Sequence, residues 1–225
     1  MTHASSQRDP ERIDVEFLTS APNLKLCPID DEREIAVAGR SNAGKSSVLN
    51  RLTGNRHTAK VSKTPGRTQL LNFFSVRTGG RLVDLPGYGY AKADRTAQAR
   101  WQSAVNEYLE GRPNLAGLVI VMDIRHPLQA LDLELIRWAT TAELPLLILL
   151  NKADKLSFGA QQQTLQRVRA ALQGKGRATT LVTTFSALRG LNVNEVIGIL
   201  TAWLSSPDGA AVTGVEPPAL DSSSA

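Results

Sequence analysis

Cysteine is nearly absent. A single Cys27 stands in 225 residues, so no internal disulfide can form, and the chain suits a reducing compartment, the cytoplasm. Aromatic residues are scarce at 5%, too few for a platform on which successive bases stack. Long apolar runs are missing too: a stretch such as Leu144–Leu150 falls far short of the ~20 residues a bilayer-spanning helix needs. Met1–Pro10 is polar and lacks the apolar core of a secretory signal, so no membrane insertion is expected. What is present is a globular balance, 42% hydrophobic and 21% charged, in a length that suits one domain.

The charge is uneven. Ten Lys or Arg fall between residues 51 and 100 (Arg51, Arg56, Lys60, Lys63, Arg67, Arg77, Arg81, Lys92, Arg95 and Arg100) against two acids, Asp84 and Asp94. That segment carries +8 of a chain total of +5, which leaves the rest at −3. With a pI near 9.6, one basic segment rather than a basic surface points to a polyanionic partner.

The apolar pattern alternates between two kinds of element. Short buried runs at Glu34–Ala38, Gln69–Val76, Arg81–Leu85, Gly117–Met122, Leu146–Leu150 and Ala178–Thr184 read as strands. Helical spacing follows Lys45 up to Gly54, links Ala97, Trp101, Val105, Tyr108 and Leu109, and covers about 128–142 and 159–173. It ends in a stripe of Val193, Val196, Ile197, Leu200 and Trp203. Continuously apolar strands between amphipathic helices imply an α/β domain with a mostly parallel sheet covered on both faces. Residues 1–30 read as an irregular lead-in, 31–205 as the folded domain, and 206–225, rich in Ser, Ala, Pro and Gly with three acids and no base, as a disordered tail.

Between the first strand and its helix lies Gly39-Arg40-Ser41-Asn42-Ala43-Gly44-Lys45-Ser46, which fits G-x-x-x-x-G-K-[ST] in strand–loop–helix context. Its glycines let main-chain N–H groups approach phosphate oxygens, and the helix start adds its positive end. Lys45 supplies charge for the outer phosphates, and the Ser46 hydroxyl is a hard ligand for Mg²⁺. Asp84-Leu85-Pro86-Gly87 closes a neighbouring strand, where a carboxylate reaches the metal's hydration shell and Gly87 offers an N–H to a terminal phosphate. Thr68, at the end of a long basic loop, is the candidate for a second hydroxyl ligand.

Asn151-Lys152-Ala153-Asp154 follows the run LLILL directly. A carboxylate at Asp154 can accept from both N1–H and the 2-amino group of guanine, a donor pair that adenine lacks. Asn151 can bridge the loop and the base edge, the Lys152 stem can cover one ring face, and Ser186-Ala187-Leu188 can offer a backbone N–H to O6. Four such elements in order, each at a strand end, indicate a guanine-nucleotide site. They argue against the rival of a P-loop kinase or ATPase.

On these residues the chain resembles the EngB (YihA/YsxC) family of bacterial ribosome-assembly GTPases, within the TrmE-Era-EngA-YihA-Septin-like superfamily. The likeness rests on G-R-S-N-A-G-K-S-S at 39–47, K-T-P-G-R-T-Q-L at 63–70, D-L-P-G-Y-G-Y-A at 84–91, N-K-A-D-K-L at 151–156 and F-S-A-L at 185–188. It implies a Ras-like P-loop GTPase fold that binds GTP with Mg²⁺, hydrolyses it slowly, and assists large-subunit maturation, normal division and septum formation. It implies nucleotide contacts from Gly39 to Ser46, from Gly66 through Arg67, Thr68 and Gln69 to Leu70, and from Asp84 to Gly87. Asn151 to Asp154 and Phe185, Ser186 and Ala187 complete the set, with Ser46 and Thr68 on the metal. Ala43 and Asn151 stand where the family often has Val and Thr.

Where Ras-like enzymes carry a water-orienting Gln, this chain has Tyr88. Turnover is therefore expected to be slow, with Lys45, Asn42 and Thr68 as the catalytic set. Asn42 occupies the place of an Asn that holds K⁺ in related GTPases; a ribosomal particle acting in trans is the other source of acceleration. Arg56, Lys60, Lys63, Lys92 and Arg95 are expected to meet rRNA phosphates. A monomer is the expected state, and a division-site scaffold using GTP as a structural ligand is the alternative function.

Overall fold

The parallel core of the sheet follows from strands apolar on both faces. In a computed structural model, the residues described are 12–55, 58, 70–88, 95–173 and 180–205. Seven strands form one sheet: β1 (Val15–Ala21), β2 (Glu34–Gly39), β3 (Leu71–Val76), β4 (Arg81–Asp84), β5 (Leu115–Asp123), β6 (Leu146–Asn151) and β7 (Thr180–Thr184). Their order is β1-β3-β4-β2-β5-β6-β7. From β4 through β7 all neighbours are parallel, whereas β1, β3 and β4 pair antiparallel. Helices α1 (Lys45–Thr53), α2 (Arg95–Gly111), α3 (Ala130–Thr141), α4 (Phe158–Leu172) and α5 (Val193–Ser205) supply the covers.

The period of two sorts the core into two layers. Ala36, Ala38, Leu118, Ile120, Met122, Ile148 and Leu150 pack with α2, α3 and α4. Their sequence neighbours Ile35, Val37, Val119, Val121, Leu147 and Leu149 pack with α1 and α5. The expected α/β architecture is present, with element bounds within a few residues of those read from the pattern. After β2 the chain adds β4 on one side and β5 on the other, so the loop leaving β2 opens at a topological switch point, where open α/β sheets bind ligands.

The lead-in is less irregular than the sequence suggested. Val15–Ala21 is the edge strand, paired with β3 from Val15↔Val76 to Ala21↔Leu71, and Ile13 is buried. The stretch 206–225 lies outside the described residues.

The basic segment also needs correction at Arg81. Its guanidinium is buried and pairs with Glu34 (3.3 Å) and Asp30. Glu34 is fully buried at the start of β2 and also accepts from Arg112 and from the Tyr108 hydroxyl (2.9 Å). Arg77 pairs with Asp14 at 3.4 Å. Arg81 is therefore structural, and Arg56, Lys60, Lys63, Lys92 and the Arg95 side chain fall outside the description. Beside this network burial pushes the Cys27 thiol up to about 11, so it stays protonated at neutral pH.

Candidate functional site

Residues 39–46 run from the end of β2 into α1. Gly39 is required for space, because a Cβ there would lie 2.9 Å from the Val121 carbonyl oxygen. Gly44 is required for conformation as well, at φ 92°, where a side chain would run into the Asn151 amide. Asn42, at φ 68°, makes the other left-handed turn. Helix α1 starts at Lys45 with no side-chain cap on its first N–H groups, the arrangement that suits an anion. Lys45 pairs with Asp84, and both side chains are about one-tenth exposed. Ser46 follows in the first turn of α1.

Asp84 closes β4 in register with Val37, and Leu85 N–H donates to the Val37 carbonyl at 3.0 Å. The next residues lie along the phosphate-type loop. A Cβ on Gly87 would stand 3.6 Å from Gly39 O and 3.8 Å from the nitrogen and Oγ of Ser41. Ser41 N–H donates to Tyr88 O (2.7 Å), and Tyr88 N–H donates to Gly39 O (3.3 Å). Ser41 Oγ is buried with no hydrogen-bond partner among the described residues. Tyr88 points inward. Its side chain is 2% exposed in the core with its hydroxyl on Asp132.

Asn151 joins the two halves of the site. Buried at the end of β6, its amide donates to Ala43 O at 2.8 Å, and its Oδ1 accepts from Ala187 N–H at 3.3 Å. Lys152, held at φ 64°, donates to Asn42 O at 2.5 Å. Buried Ala153 donates its N–H to the carbonyl of buried Phe185 at 3.0 Å. The Ser186 hydroxyl donates to Asp154 Oδ1 at 2.6 Å and thereby holds that carboxyl below its usual range, so it is an ionised acceptor at neutral pH.

The structure thus brings together Gly39–Ser46, Asp84–Gly87, Asn151–Asp154 and Phe185–Ala187. Gly66, Arg67, Thr68 and Gln69 lie outside the described residues, and Leu70 sits half-buried just before β3. Sequence reading missed Asp123, which ends β5 in register with Asn151. Its carboxylate accepts from Lys152 Nζ (3.0 Å), Arg125 Nε (2.9 Å) and Arg125 Nη2 (2.6 Å), and these cations hold it far below the usual carboxylate range. The available signal was a polar residue closing a buried strand, as at Asp84 and Asn151.

The pattern of the family described as "50S ribosome-binding GTPase" matches residues 34–152. A curated relative from Tolumonas auensis, described as a "Probable GTP-binding protein EngB", is 51% identical over 194 residues, 86% of this chain and 91% of its own length. The chain belongs to the EngB family of GTP-binding proteins. It is accordingly a GTPase, and the four strand-end loops are those of an EngB-type fold. A crystal structure of a protein described as engB aligns over 76% of this chain and 98% of that one, with TM-score 0.63 at 22% identity. Era, solved with MgGDPNP and nucleotides 1506–1542 of 16S ribosomal RNA, aligns over 76% of this chain and 56% of that one. Its TM-score is 0.56 at 20% identity, a likeness of fold. No helix among the described residues is long and apolar enough to cross a membrane.

Proposed function

We propose that this GTPase is a cytoplasmic guanine-nucleotide switch in assembly of the large ribosomal subunit, needed for normal division and septation. The observation that carries the nucleotide part is Asn151. One buried amide ties the loop suited to phosphates to the turn suited to the base, so the two ends of one ligand are held at a fixed separation. The polyphosphate goes to Gly39–Ser46 and the guanine edge to Asp154 and Ala187, with Lys152 braced alongside by Asn42 O and Asp123. Asp84–Gly87, laid along that loop, serve the terminal phosphate, and the motif Gly66–Leu70 is assigned to the nucleotide by its likeness to the family alone. The ribosomal part is supported by the description of the matching family and by the basic segment, less Arg81.

The donor set fits Mg²⁺: the Ser46 hydroxyl and Asp84 carboxylate are hard oxygens at adjoining strand and helix ends, with Thr68 as the second hydroxyl. Bound Mg²⁺ would neutralise charge on the β- and γ-phosphate oxygens. Lys45, paired with Asp84, is then shared between that carboxylate and the phosphates, and the partnerless Ser41 hydroxyl lies beside them. Asn42 is exposed with its carbonyl taken by Lys152, which leaves its side-chain oxygen for K⁺, a charge in place of an arginine finger. Hydrolysis is expected to be faster in KCl than in NaCl, and Asn42→Ala to remove the difference. Equal wild-type rates in the two salts reject the K⁺ role.

The function is tested by pelleting with purified ribosomal subunits. Binding to large subunits is expected with a GTP analogue, weaker with GDP, and weaker again at high salt, because phosphate contacts release counterions. Tight binding that ignores nucleotide and salt overturns the switch. Hydrolysis that ribosomal particles never stimulate favours the division-site scaffold.

A further inference from the structure

Tyr88 sits at the joint between three elements. Its main chain is clasped to the phosphate loop on both sides, accepting from Ser41 N–H at 2.7 Å and donating to Gly39 O at 3.3 Å. Its ring is buried in the layer formed by α2, α3 and α4. Its hydroxyl donates to Asp132 Oδ1 at 2.5 Å. Asp132 is fully buried in the first turn of α3, and its Oδ2 accepts the Gln129 N–H at 2.9 Å, closing a capping box. Arg40, in the phosphate loop, forms a parallel β-bridge with Tyr88.

A core that needed only volume here would be filled by Phe facing Leu. A buried carboxylate is tolerated because Tyr88 and Gln129 satisfy it, and such a polar pair fixes one arrangement where an apolar contact would permit several. What it fixes is the main chain immediately after Gly87, one residue from the amide that faces the terminal phosphate.

We propose that Tyr88 is a positioning residue for GTP hydrolysis. Through its buried bond to Asp132 it sets the Gly87–Tyr88 main chain against the phosphate loop and links the presence of a γ-phosphate to α3. The inference rests on the guanine-nucleotide reading of the site. It also explains how a chain without the Gln keeps a Tyr there: the side chain serves the backbone geometry, and the attacking water is oriented by something else.

The test compares full-length wild type, Tyr88→Phe, Asp132→Asn and the double variant. Measured are single-turnover GTP hydrolysis, KM, affinities for GDP and a non-hydrolysable GTP analogue, and thermal stability. Tyr88→Phe keeps the ring, so GDP affinity is expected to stay within about twofold. The hydrolysis rate and the analogue-over-GDP preference should each fall about tenfold, the scale on which small displacements of a reacting group act. Asp132→Asn, which leaves an acceptor for the Tyr88 hydroxyl, should show the same shift to a lesser degree, and the double variant should fall short of the product of the two. If both single variants lose thermal stability while rate, KM and nucleotide preference stay unchanged, the pair is core packing and the proposal fails. If wild type takes up neither nucleotide, the site reading fails first, and that outcome is seen before any variant is compared.

Discussion

Asp154→Asn is expected to lower GTP affinity by about 10³-fold or more and to make xanthosine triphosphate the preferred nucleotide. Ser186 already donates to Oδ1 of this carboxylate and keeps it ionised, so the group is oriented as an acceptor before any base arrives. Guanine presents two donors on that edge. An asparagine in the same pose keeps the Ser186 bond through its oxygen and turns an N–H₂ toward those donors. A buried donor facing a donor forfeits the bond and strands both groups, which is why sites built on polar pairs discriminate by ~10⁴-fold. Xanthine carries a carbonyl at position 2 and restores the match. Competition titrations with GTP, XTP and ATP measure the change. An unaltered order of affinities would remove Asp154 from the base site and reopen the adenine-nucleotide enzymes that the sequence argued against.

How much of this was legible beforehand depended on where each residue stands. The phosphate and base loops were readable because they sit at the C-terminal ends of strands buried on both faces, and such strands announce themselves as unbroken apolar runs. Strand β1 was not readable for the complementary reason. As an edge strand it leaves Glu16, Phe17 and Leu18 exposed, and its register shifts between Phe17 and Thr19, so neither an apolar run nor a clean alternation survives. Asp123 closes a run that reads GLVIVM, yet its role needs Lys152 beside it, and that proximity is set by the pairing of β5 with β6. Tyr88 shows the same limit more sharply. Its slot after Gly87 was identified correctly, but the direction of its side chain is decided by an aspartate 44 positions away. Counting Arg81 with the basic face erred because charge totals do not register a carboxylate buried on the adjacent strand.

That carboxylate supplies the second large effect. Glu34→Ala is expected to destabilise the protein by about 3–5 kcal/mol, the cost of leaving buried cations without their counter-charge. For a domain of this length the transition should fall by roughly 10 °C. Arg81 keeps Asp30, but among the described residues Arg112 is left with the Pro28 carbonyl, and the Tyr108 hydroxyl loses its acceptor. The network lies at the opposite end of β2 from Gly39, and Tyr108 belongs to α2, which the chain enters soon after Tyr88. The far end of that helix is therefore pinned to the sheet by charge. Below the lowered transition, GDP affinity should remain within about twofold of wild type, because among the described residues none of these groups touches a nucleotide loop. Paired urea denaturation and GDP titration separate the two quantities. Intact stability would show that water reaches the guanidiniums and that the ion pairs contribute little. A lost GDP site in a still-folded variant would show instead that the pinned end of α2 governs the loops at the other end of the sheet.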